Sequence, residues 1–150
     1  GEVTDVDPTV LFDLLEKDYL PIVAPLGMDE EFNTYNINAD EAASAIARAV
    51  CADKLVYLTD ITGVLRSLDE PDSLISRINI AEAEDLVKDG IVGGGMLPKL
   101  ANCTDAVRGG VHRVHILDGR IPHCLLLEIF TDKGIGTVFY KGDYNEERGY

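Results

Sequence analysis

The sequence is poor in cysteine, with three in 150 residues. Cys51, Cys103 and Cys124 are odd in number, lie far apart and fall within helical or apolar patterns. Disulfide frameworks and zinc sites need paired or clustered cysteines, so this arrangement argues against both. The low cysteine content fits a reducing compartment. We therefore expect a cytoplasmic protein, or one from the interior of a plastid or mitochondrion in a eukaryote.

The sequence also lacks a long hydrophobic run. The longest, from Tyr19 to Met28, is interrupted by Pro21 and Pro25, and a helix needs roughly 20 apolar residues to cross a bilayer. No membrane span is expected. The first residues are acidic and lack the basic leader of a secretory signal. Because the sequence begins at Gly1 without a methionine, we expect an incomplete or processed chain.

Positive charge is scarce. Thirteen basic residues stand against 27 acidic ones, for a formal net charge of -14. Such a charge opposes binding to nucleic acid and to anionic lipid surfaces. A phosphorylated ligand would need a locally electropositive pocket.

With 46% hydrophobic and 27% charged residues, the composition predicts one globular domain over residues 1–150 with a buried core.

Helical patterns alternate with short apolar segments along the chain. Strands are predicted at 20–24, 54–58, 111–117 and 134–140, and helices from Asp7-Pro8, at 39–50, after the glycines at 93–95, and at 121–130. Asn79 and Glu82 have the spacing of a capping box for a further helix that ends at Gly90. This alternation predicts an α/β fold, a three-layer αβα sandwich with a mainly parallel sheet.

A glycine-rich turn, Gly93-Gly94-Gly95-Met96-Leu97-Pro98-Lys99, runs directly into a predicted helix. Backbone N–H groups at such a helix start attract anions, and glycines let phosphate oxygens approach closely. Lys99 opposes the helix dipole, so its position favours an anion between it and the helix. The spacing matches neither the P-loop nor the dinucleotide-binding motif. The structural alternative is a flexible loop with a solvated lysine.

Two further segments place polar residues at element ends. In Tyr35–Asp40, Asn38 could cap the next helix with Asp40 complementing its dipole, whereas Asn36 lies outside the cap and could hold a ligand. Thr59 and Asp60 follow a predicted strand, and ligands of open parallel sheets bind beyond the carboxyl ends of strands. Asp60 could equally cap the next turn.

Four segments of the chain together resemble the acetylglutamate kinases of the amino acid kinase family. They are NINADEAASAIA, KLVYLTDITGVL, AEAEDLVKDGIVGGGMLPK and AVRGGVHRVHILDGRIPHCLLLEIFTDKGIGT, in this order and with matching spacings. The resemblance extends from Gly1 to about Val138. It implies an N-terminal lobe that binds N-acetyl-L-glutamate and a C-terminal lobe that binds ATP and Mg²⁺. Residues 1–150 would be the C-terminal lobe with the last elements of the N-terminal lobe.

The resemblance also implies roles for individual residues. Lys99 would stabilise the transferring phosphoryl group, and Asp40 would orient the catalytic lysines. Asn36 and Asn38 would lie at the substrate. The nucleotide site would include Thr59, Asp60, Gly94, Gly95 and Met96. No direct protein ligand to the metal ion is implied.

The implied reaction is ATP-dependent phosphorylation of the side-chain carboxylate of N-acetyl-L-glutamate, a step of arginine biosynthesis. The family's phosphate loop, second catalytic lysine and most of the acceptor pocket lie N-terminal to this part, so we expect the chain alone to bind nucleotide weakly and to catalyse little. The full-length protein would be a homo-oligomer. Alternatives are a non-catalytic nucleotide- or arginine-binding regulatory module, or another amino acid kinase that acts on carbamate, glutamate, aspartate or UMP.

An effector site is also implied. His115, Glu128 and Gly134 match the region that resembles the arginine-binding site of arginine-inhibited members of the family. The structural alternative is that His115, between Val114 and Ile116 on a predicted strand, is a core histidine with a satisfied hydrogen bond.

Overall fold

The computed structural model describes residues 1–67, 69–70, 72–131 and 134–142. Its helices are α1 (Thr9–Leu15), α2 (Ala39–Ala49), α3 (Ala83–Lys88), α4 (Met96–Arg108) and α5 (Cys124–Phe130). Its strands are β1 (Leu26–Met28), β2 (Thr34–Asn36), β3 (Lys54–Thr59), β4 (Arg77–Asn79), β5 (Arg113–Asp118) and β6 (Thr137–Tyr140). None of the helices in these residues is long and apolar enough to cross a membrane.

The strands form two separate sheets. β1 and β2 make an antiparallel hairpin just before α2. The other four strands form one sheet in the order β3-β5-β6-β4. In that sheet β3 is parallel to β5 and β4 is parallel to β6, while β5 and β6 are antiparallel. Most pairings are therefore parallel, as the alternation of helices and strands predicts.

Helices cover both faces of the four-stranded sheet. On one face α2 packs on β3, and α4 packs on β5 and β6. Val114 and Ile116 of β5 share a core with Leu100, Cys103, Ala106 and Val107 of α4. Since side chains alternate along a strand, His115 points to the other face, where it meets Glu128 of α5. The three-layer αβα prediction is confirmed.

Helices α2 and α4 lie side by side and run in the same direction. Their first turns meet where Asp40 contacts Lys99, and their last turns meet where a side chain on Gly109 would collide with Arg48. Short connections, 50–53 and 109–112, lead from these helices into β3 and β5. Both helices therefore run antiparallel to the following strands, and both N-termini lie at the carboxyl edge of β3 and β5.

The predicted strand at 20–24 is wrong. Residues 20–24 form no strand, and Leu20 and Ile22 are 85% and 92% exposed. Pro21 and Pro25 have no N–H to donate to a sheet ladder. The first strand, β1, begins only at Leu26. A short apolar run becomes a buried strand only if a neighbouring strand is available to pair with it.

Several boundaries also differ from prediction. Strand β5 spans Arg113–Asp118 rather than 111–117, and β6 spans Thr137–Tyr140 rather than 134–140. Asn79 is the last residue of β4, where it pairs with Tyr140, so Glu82 rather than Asn79 is the N-cap of α3. Gly90 follows α3 with φ 72°, in agreement with its predicted role as a helix stop. Helix α5 begins at Cys124 rather than Ile121, because its N-cap residue, His123, adopts a left-handed conformation.

The amino-terminal part of the chain exposes a large apolar surface. A cavity of about 760 Å³ is lined by residues 1–7, by α1, by residues 21–24 and 26–29, and by Tyr35, Ile37 and two α2 residues. Several exposed side chains belong to the same region: Tyr19, Leu20, Ile22, Val23, Leu26, Met28 and Phe32. Large exposed apolar patches mark sites that contact another protein surface, a membrane or a ligand.

Gly136 allows β5 and β6 to approach each other. A methyl group there would overlap the Ile116 carbonyl oxygen and a methyl of Leu117. We expect Gly136→Ala to lower the free energy of unfolding by about 1–3 kcal/mol, the range for overpacked cores. Urea denaturation measures this change. Gly93→Ala is the control, because a methyl at Gly93 meets no atom within 4 Å. Equal stability of the two variants would contradict the packing argument.

Candidate functional site at the carboxyl edge

Asn38 fixes the start of α2 and, with it, the position of Asp40. Asn38 has an extended backbone, and its side-chain oxygen accepts hydrogen bonds from the N–H groups of Asp40 at 3.0 Å and Glu41 at 3.2 Å. Both acidic residues lie in the first turn, where carboxylates complement the helix dipole. The capping role expected of Asn38 is present. Its role at the substrate remains a prediction.

Lys99 and Asp40 form an ion pair across the two helix N-termini. Lys99 Nζ lies 2.7 Å from Asp40 Oδ2, and the two side chains are 27% and 29% exposed. The Asp40 carboxylate is thus an anion next to the lysine that opposes the dipole of α4. A lysine ammonium has three N–H donors, of which one is directed at Asp40. The pair is half-buried and remains within reach of a ligand.

Open space surrounds the glycine turn before α4. A methyl added to Gly93, Gly94 or Gly95 would meet no atom within 4 Å, and Gly94 has φ 54°, which favours glycine. Gly95 is the N-cap of α4 and provides no side-chain cap. Met96 packs against the core and anchors the first turn. The helix therefore presents an unobstructed N-terminus, which attracts anions.

Thr59 and Asp60 lie at the carboxyl end of β3. Thr59 Oγ1 accepts a hydrogen bond from Ile61 N at 3.2 Å, so the hydroxyl closes the turn that follows the strand. Asp60 is exposed on that turn. Tyr57, two residues earlier, donates its hydroxyl to the Asp40 backbone oxygen at 3.0 Å and ties β3 to the start of α2. Burial raises the pKa of Tyr57, which keeps this donor protonated.

Asp118 and Arg120 belong to the same edge and escaped the sequence analysis. Asp118 ends β5 directly opposite Thr59. Its carboxylate accepts two hydrogen bonds from the Arg120 guanidinium, at 2.9 and 2.8 Å. The rule that selected Thr59 and Asp60, a polar residue just after a strand, applies equally to Asp118 and could have found it.

The structure thus brings most predicted site residues to one edge of the sheet. Asp40, Lys99 and the glycine turn lie at the two helix N-termini, and Thr59 and Asp60 follow β3. Asn36 is the exposed last residue of the β1–β2 hairpin, two residues before the Asn38 cap, and its backbone oxygen accepts a hydrogen bond from the Gly1 amine at 2.8 Å. The large cavity described above lies on the hairpin side.

The three residues predicted for an effector site also lie together, on the α5 face of the sheet. His115 Nδ1 is 2.8 Å from Glu128 Oε1. Glu128 Oε2 accepts hydrogen bonds from the N–H groups of Ile135 at 2.7 Å and Gly136 at 3.2 Å. Gly134, at φ 60°, passes so close that a methyl group would lie 2.7 Å from Glu128 Oε2. His115 Nε2 is buried without a hydrogen-bond partner.

Glu128 is ionised within this cluster. Burial alone would raise the pKa of Glu128, but the hydrogen bonds from His115, Ile135 and Gly136 together outweigh it and hold the pKa below its ordinary value of 4.5. Because the folded-state pKa is the lower one, the cluster stabilises the fold above about pH 4.5 and loses that contribution as the pH falls through the folded-state pKa.

A family model gives the chain its place among known proteins. The model of the amino acid kinase family matches residues 1–118, which include β3, α4 and β5. The chain belongs to the amino acid kinase family. The resemblance to this family seen in the sequence is confirmed.

Relatives within the family are acetylglutamate kinases. The chain is 50% identical over 141 residues to the acetylglutamate kinase of Heliobacterium modesticaldum, covering 94% of this chain and 48% of that protein. It is 54% identical over 138 residues to that of Campylobacter jejuni subsp. doylei, covering 92% and 49%. The chain therefore spans about half the length of the curated relatives it matches.

Two solved structures superpose on this fold. The N-acetylglutamate synthase of Neisseria gonorrhoeae, complexed with coenzyme A and L-arginine, superposes with a TM-score of 0.82 at 33% identity, covering 91% of this chain and 31% of that one. The carbamate kinase of Giardia lamblia bound to AMP-PNP has a TM-score of 0.68 at 23% identity, covering 91% and 50%. The second likeness shows the fold alone.

Alanine substitutions at two glycines with positive φ, Gly134 and Gly90, distinguish the cost of backbone strain from that of a steric clash with Glu128. Gly134→Ala would place a methyl group against the Glu128 carboxylate in a left-handed conformation, whereas Gly90→Ala, at φ 72°, would meet no atom within 4 Å. Left-handed alanine costs about 1 kcal/mol at either position. We expect Gly134→Ala to destabilise the fold by at least about 1 kcal/mol more than Gly90→Ala, because the buried Glu128 hydrogen bonds must shift. Thermal unfolding of both variants measures this, and equal losses would refute the contact.

Proposed function

We propose that this chain is the nucleotide-binding half of an ATP-dependent acetylglutamate kinase. The reaction is transfer of the γ-phosphoryl group of ATP to the side-chain carboxylate of N-acetyl-L-glutamate, in arginine biosynthesis. The observation that carries the proposal is the Lys99–Asp40 ion pair beside the unobstructed N-terminus of α4. The sequence identity of 50–54% to acetylglutamate kinases supports the choice of substrate.

The carboxyl edge suits a triphosphate electrostatically. The N-terminus of α4 has no side-chain cap and no acidic residue in its first turn, and it presents the equivalent of about half a positive charge. The N-terminus of α2 is capped by Asn38 and carries Asp40 and Glu41. Lys99 adds a full charge, and the glycine turn leaves room for phosphate oxygens. In a chain with a formal net charge of -14, this is the kind of local positive region that an anionic ligand requires. Gly94, Gly95 and Met96 would contact the nucleotide there, with Thr59 and Asp60 at its other end.

Magnesium would arrive with the nucleotide. Among the residues that the structure describes, no group of three or more His, Cys, Asp or Glu side chains could hold a metal ion. Mg²⁺ in nucleotide sites is commonly held by phosphate oxygens, water and only one or two carboxylates. Bound to the triphosphate, Mg²⁺ would supply further neutralisation of the phosphoryl charge.

The chain's own residues would contribute position and charge rather than covalent chemistry. The acceptor carboxylate is ionised at neutral pH, so no general base has to remove a proton. Lys99 would donate N–H groups to the transferring phosphoryl group as its charge shifts towards the leaving ADP. Asp40, fixed by the Asn38 cap, would hold the Lys99 side chain in place. Asn36 and Asn38 would bind the substrate.

The whole protein would contain a second half. The chain covers about half of its relatives, and its apolar surface around residues 19–32 is suited to contact with another lobe. We infer that residues 1–150 combine the nucleotide-binding lobe with the last elements of the acceptor lobe. The complete enzyme would be a homo-oligomer in the cytoplasm, or in a plastid or mitochondrion, and would bind neither nucleic acid nor membranes.

A chimera tests the reaction. Residues 1–141 would replace the matching part of the Heliobacterium modesticaldum acetylglutamate kinase, and acetylglutamate-dependent ADP release would be measured. We expect turnover, and a decrease in kcat of about 100-fold or more on Lys99→Ala, the size seen when one donor to a transition-state charge is removed.

Lys88→Ala is the matched control for Lys99→Ala. Lys88 is also a helical lysine paired with an aspartate, 3.3 Å from Asp85, but it lies on α3 and is 69% exposed. Its removal should leave kcat within twofold. If Lys99→Ala kept kcat within a few fold of the parent, the proposed role of Lys99 would be wrong. An inactive but folded chimera would contradict the proposed reaction.

A second function, binding of L-arginine as an effector, is favoured by the cluster on the α5 face. His115, Glu128 and Gly134 lie together there although the sequence separates them. The superposable N-acetylglutamate synthase was crystallised with L-arginine. Arginine carries a guanidinium that pairs well with a carboxylate such as Glu128.

Calorimetry tests the effector site without any assay of activity. We expect the chain to bind L-arginine, and Glu128→Gln to weaken binding at least about tenfold, because the substitution removes the charge but keeps the shape of the side chain. L-Citrulline, an uncharged analogue, should not compete. Unchanged arginine affinity in a folded Glu128→Gln variant would contradict the assignment.

A further inference from the structure

Asp118 holds the Arg120 side chain in one orientation. Arg120 donates three hydrogen bonds to the Asp118 carboxylate: its backbone N–H at 2.9 Å, Nε at 2.9 Å and Nη2 at 2.8 Å. The Asp118 side chain is 8% exposed and that of Arg120 is 67% exposed. A buried carboxylate thus binds one edge of the guanidinium and leaves its plane at the surface.

This pair is fixed at the carboxyl ends of β3 and β5. Asp118 is in register with Thr59, and the N–H of Gly119 donates to the Thr59 carbonyl oxygen at 2.8 Å. A methyl on Gly119 would lie 3.3 Å from Leu58 Cβ, so the connection to Arg120 runs tightly over the end of β3. Arg120 therefore stands beside the turn that carries Asp60.

The charges around Arg120 argue against a phosphate ligand at this point. Hydrogen bonds and the charge of Asp118, with a smaller effect of Asp60, raise the pKa of Arg120. One cation therefore stands among two carboxylates, and the group as a whole repels phosphate. The positive charge of this edge is instead found at Lys99 and the N-terminus of α4, where phosphates would lie.

A flat, neutralised guanidinium suits a nucleobase. Guanidinium groups are planar and weakly hydrated, and they stack on aromatic rings. Bases stack on arginine planes as they do on aromatic side chains, and every base has a suitable face. Because Asp118 already holds the Arg120 side chain in one orientation, less side-chain entropy would be lost when a base stacks on it. Next to Arg120, the carboxylate oxygens of Asp60 can accept hydrogen bonds from amino or hydroxyl groups of a nucleoside.

We propose that Arg120 is a nucleotide-binding residue whose guanidinium plane, oriented by Asp118, stacks on the base while the phosphates lie at the N-terminus of α4. The proposal rests on the nucleotide-binding function proposed above. It assigns Arg120 to the base and Lys99 to the phosphates, and it makes Asp118 a positioning residue.

Two ligands distinguish the base from the phosphates. The 150-residue chain and its Arg120→Ala and Arg120→Lys variants would be titrated with MgATP and with Mg-tripolyphosphate, which has no base, by NMR or calorimetry. We expect both variants to weaken MgATP binding about tenfold, in line with one lost base stack. Lysine restores the charge but not the plane. Tripolyphosphate affinity should change less than twofold.

The outcomes separate this inference from the function on which it rests. Wild-type binding of MgATP with unchanged affinity in Arg120→Ala would overturn the role of Arg120 alone. Equal weakening of both ligands would show a phosphate contact and overturn the stacking. Full recovery by Arg120→Lys would do the same, because charge would then suffice. If the wild-type chain bound neither ligand, the proposed nucleotide site itself would fail, and the role of Arg120 with it.

Discussion

The site depends on the contact between Lys99 and Asp40, which joins the first turns of α2 and α4. Parallel helices that start at the same sheet edge bring two positive dipole ends together, an arrangement that is unfavourable without an anion. Asp40 supplies that anion within the fold. Lys99 then restores a positive charge at the surface, 2.7 Å from the carboxylate. Under the proposed function, Lys99 and the uncapped N-terminus of α4 would supply the positive charge that phosphate requires.

Strand β5 connects this edge to the second cluster. Val114 and Ile116 pack under α4, while His115, between them, faces α5 and meets Glu128. The end of the same strand supplies Asp118, which orients Arg120 beside the turn after β3. β5 therefore carries core residues on one face, His115 on the other and Asp118 at its end.

The sequence predicted the elements whose patterns are set locally. Helices α2 and α4 and strands β3 and β5 have clear periodicity, and Asn38 caps α2 as its residue type favours. Residues 20–24 were mispredicted because their hydrophobicity carries no information about an available pairing strand. Asn79 was mispredicted because sheet pairing with β6 overrides a local capping pattern.

The contacts within the site were less predictable than the helices and strands, because they join residues that are far apart in the sequence. Lys99 and Asp40 are 59 positions apart, and no local pattern joins them. Their association came from resemblance to a family, as did that of His115 with Glu128. Asp118 and Arg120 were missed because a charged residue after a strand is common, and only the structure shows that the carboxylate is buried and clamps the guanidinium.

Backbone NMR of the isotopically labelled chain during titration with MgATP measures the central claim most directly. The account predicts saturable shift changes at residues 38–41, 59–60 and 93–99, the two helix N-termini and the turn after β3. Changes confined to residues 1–7 and 21–29, around the cavity on the hairpin side, would show that the nucleotide binds elsewhere and would contradict the account.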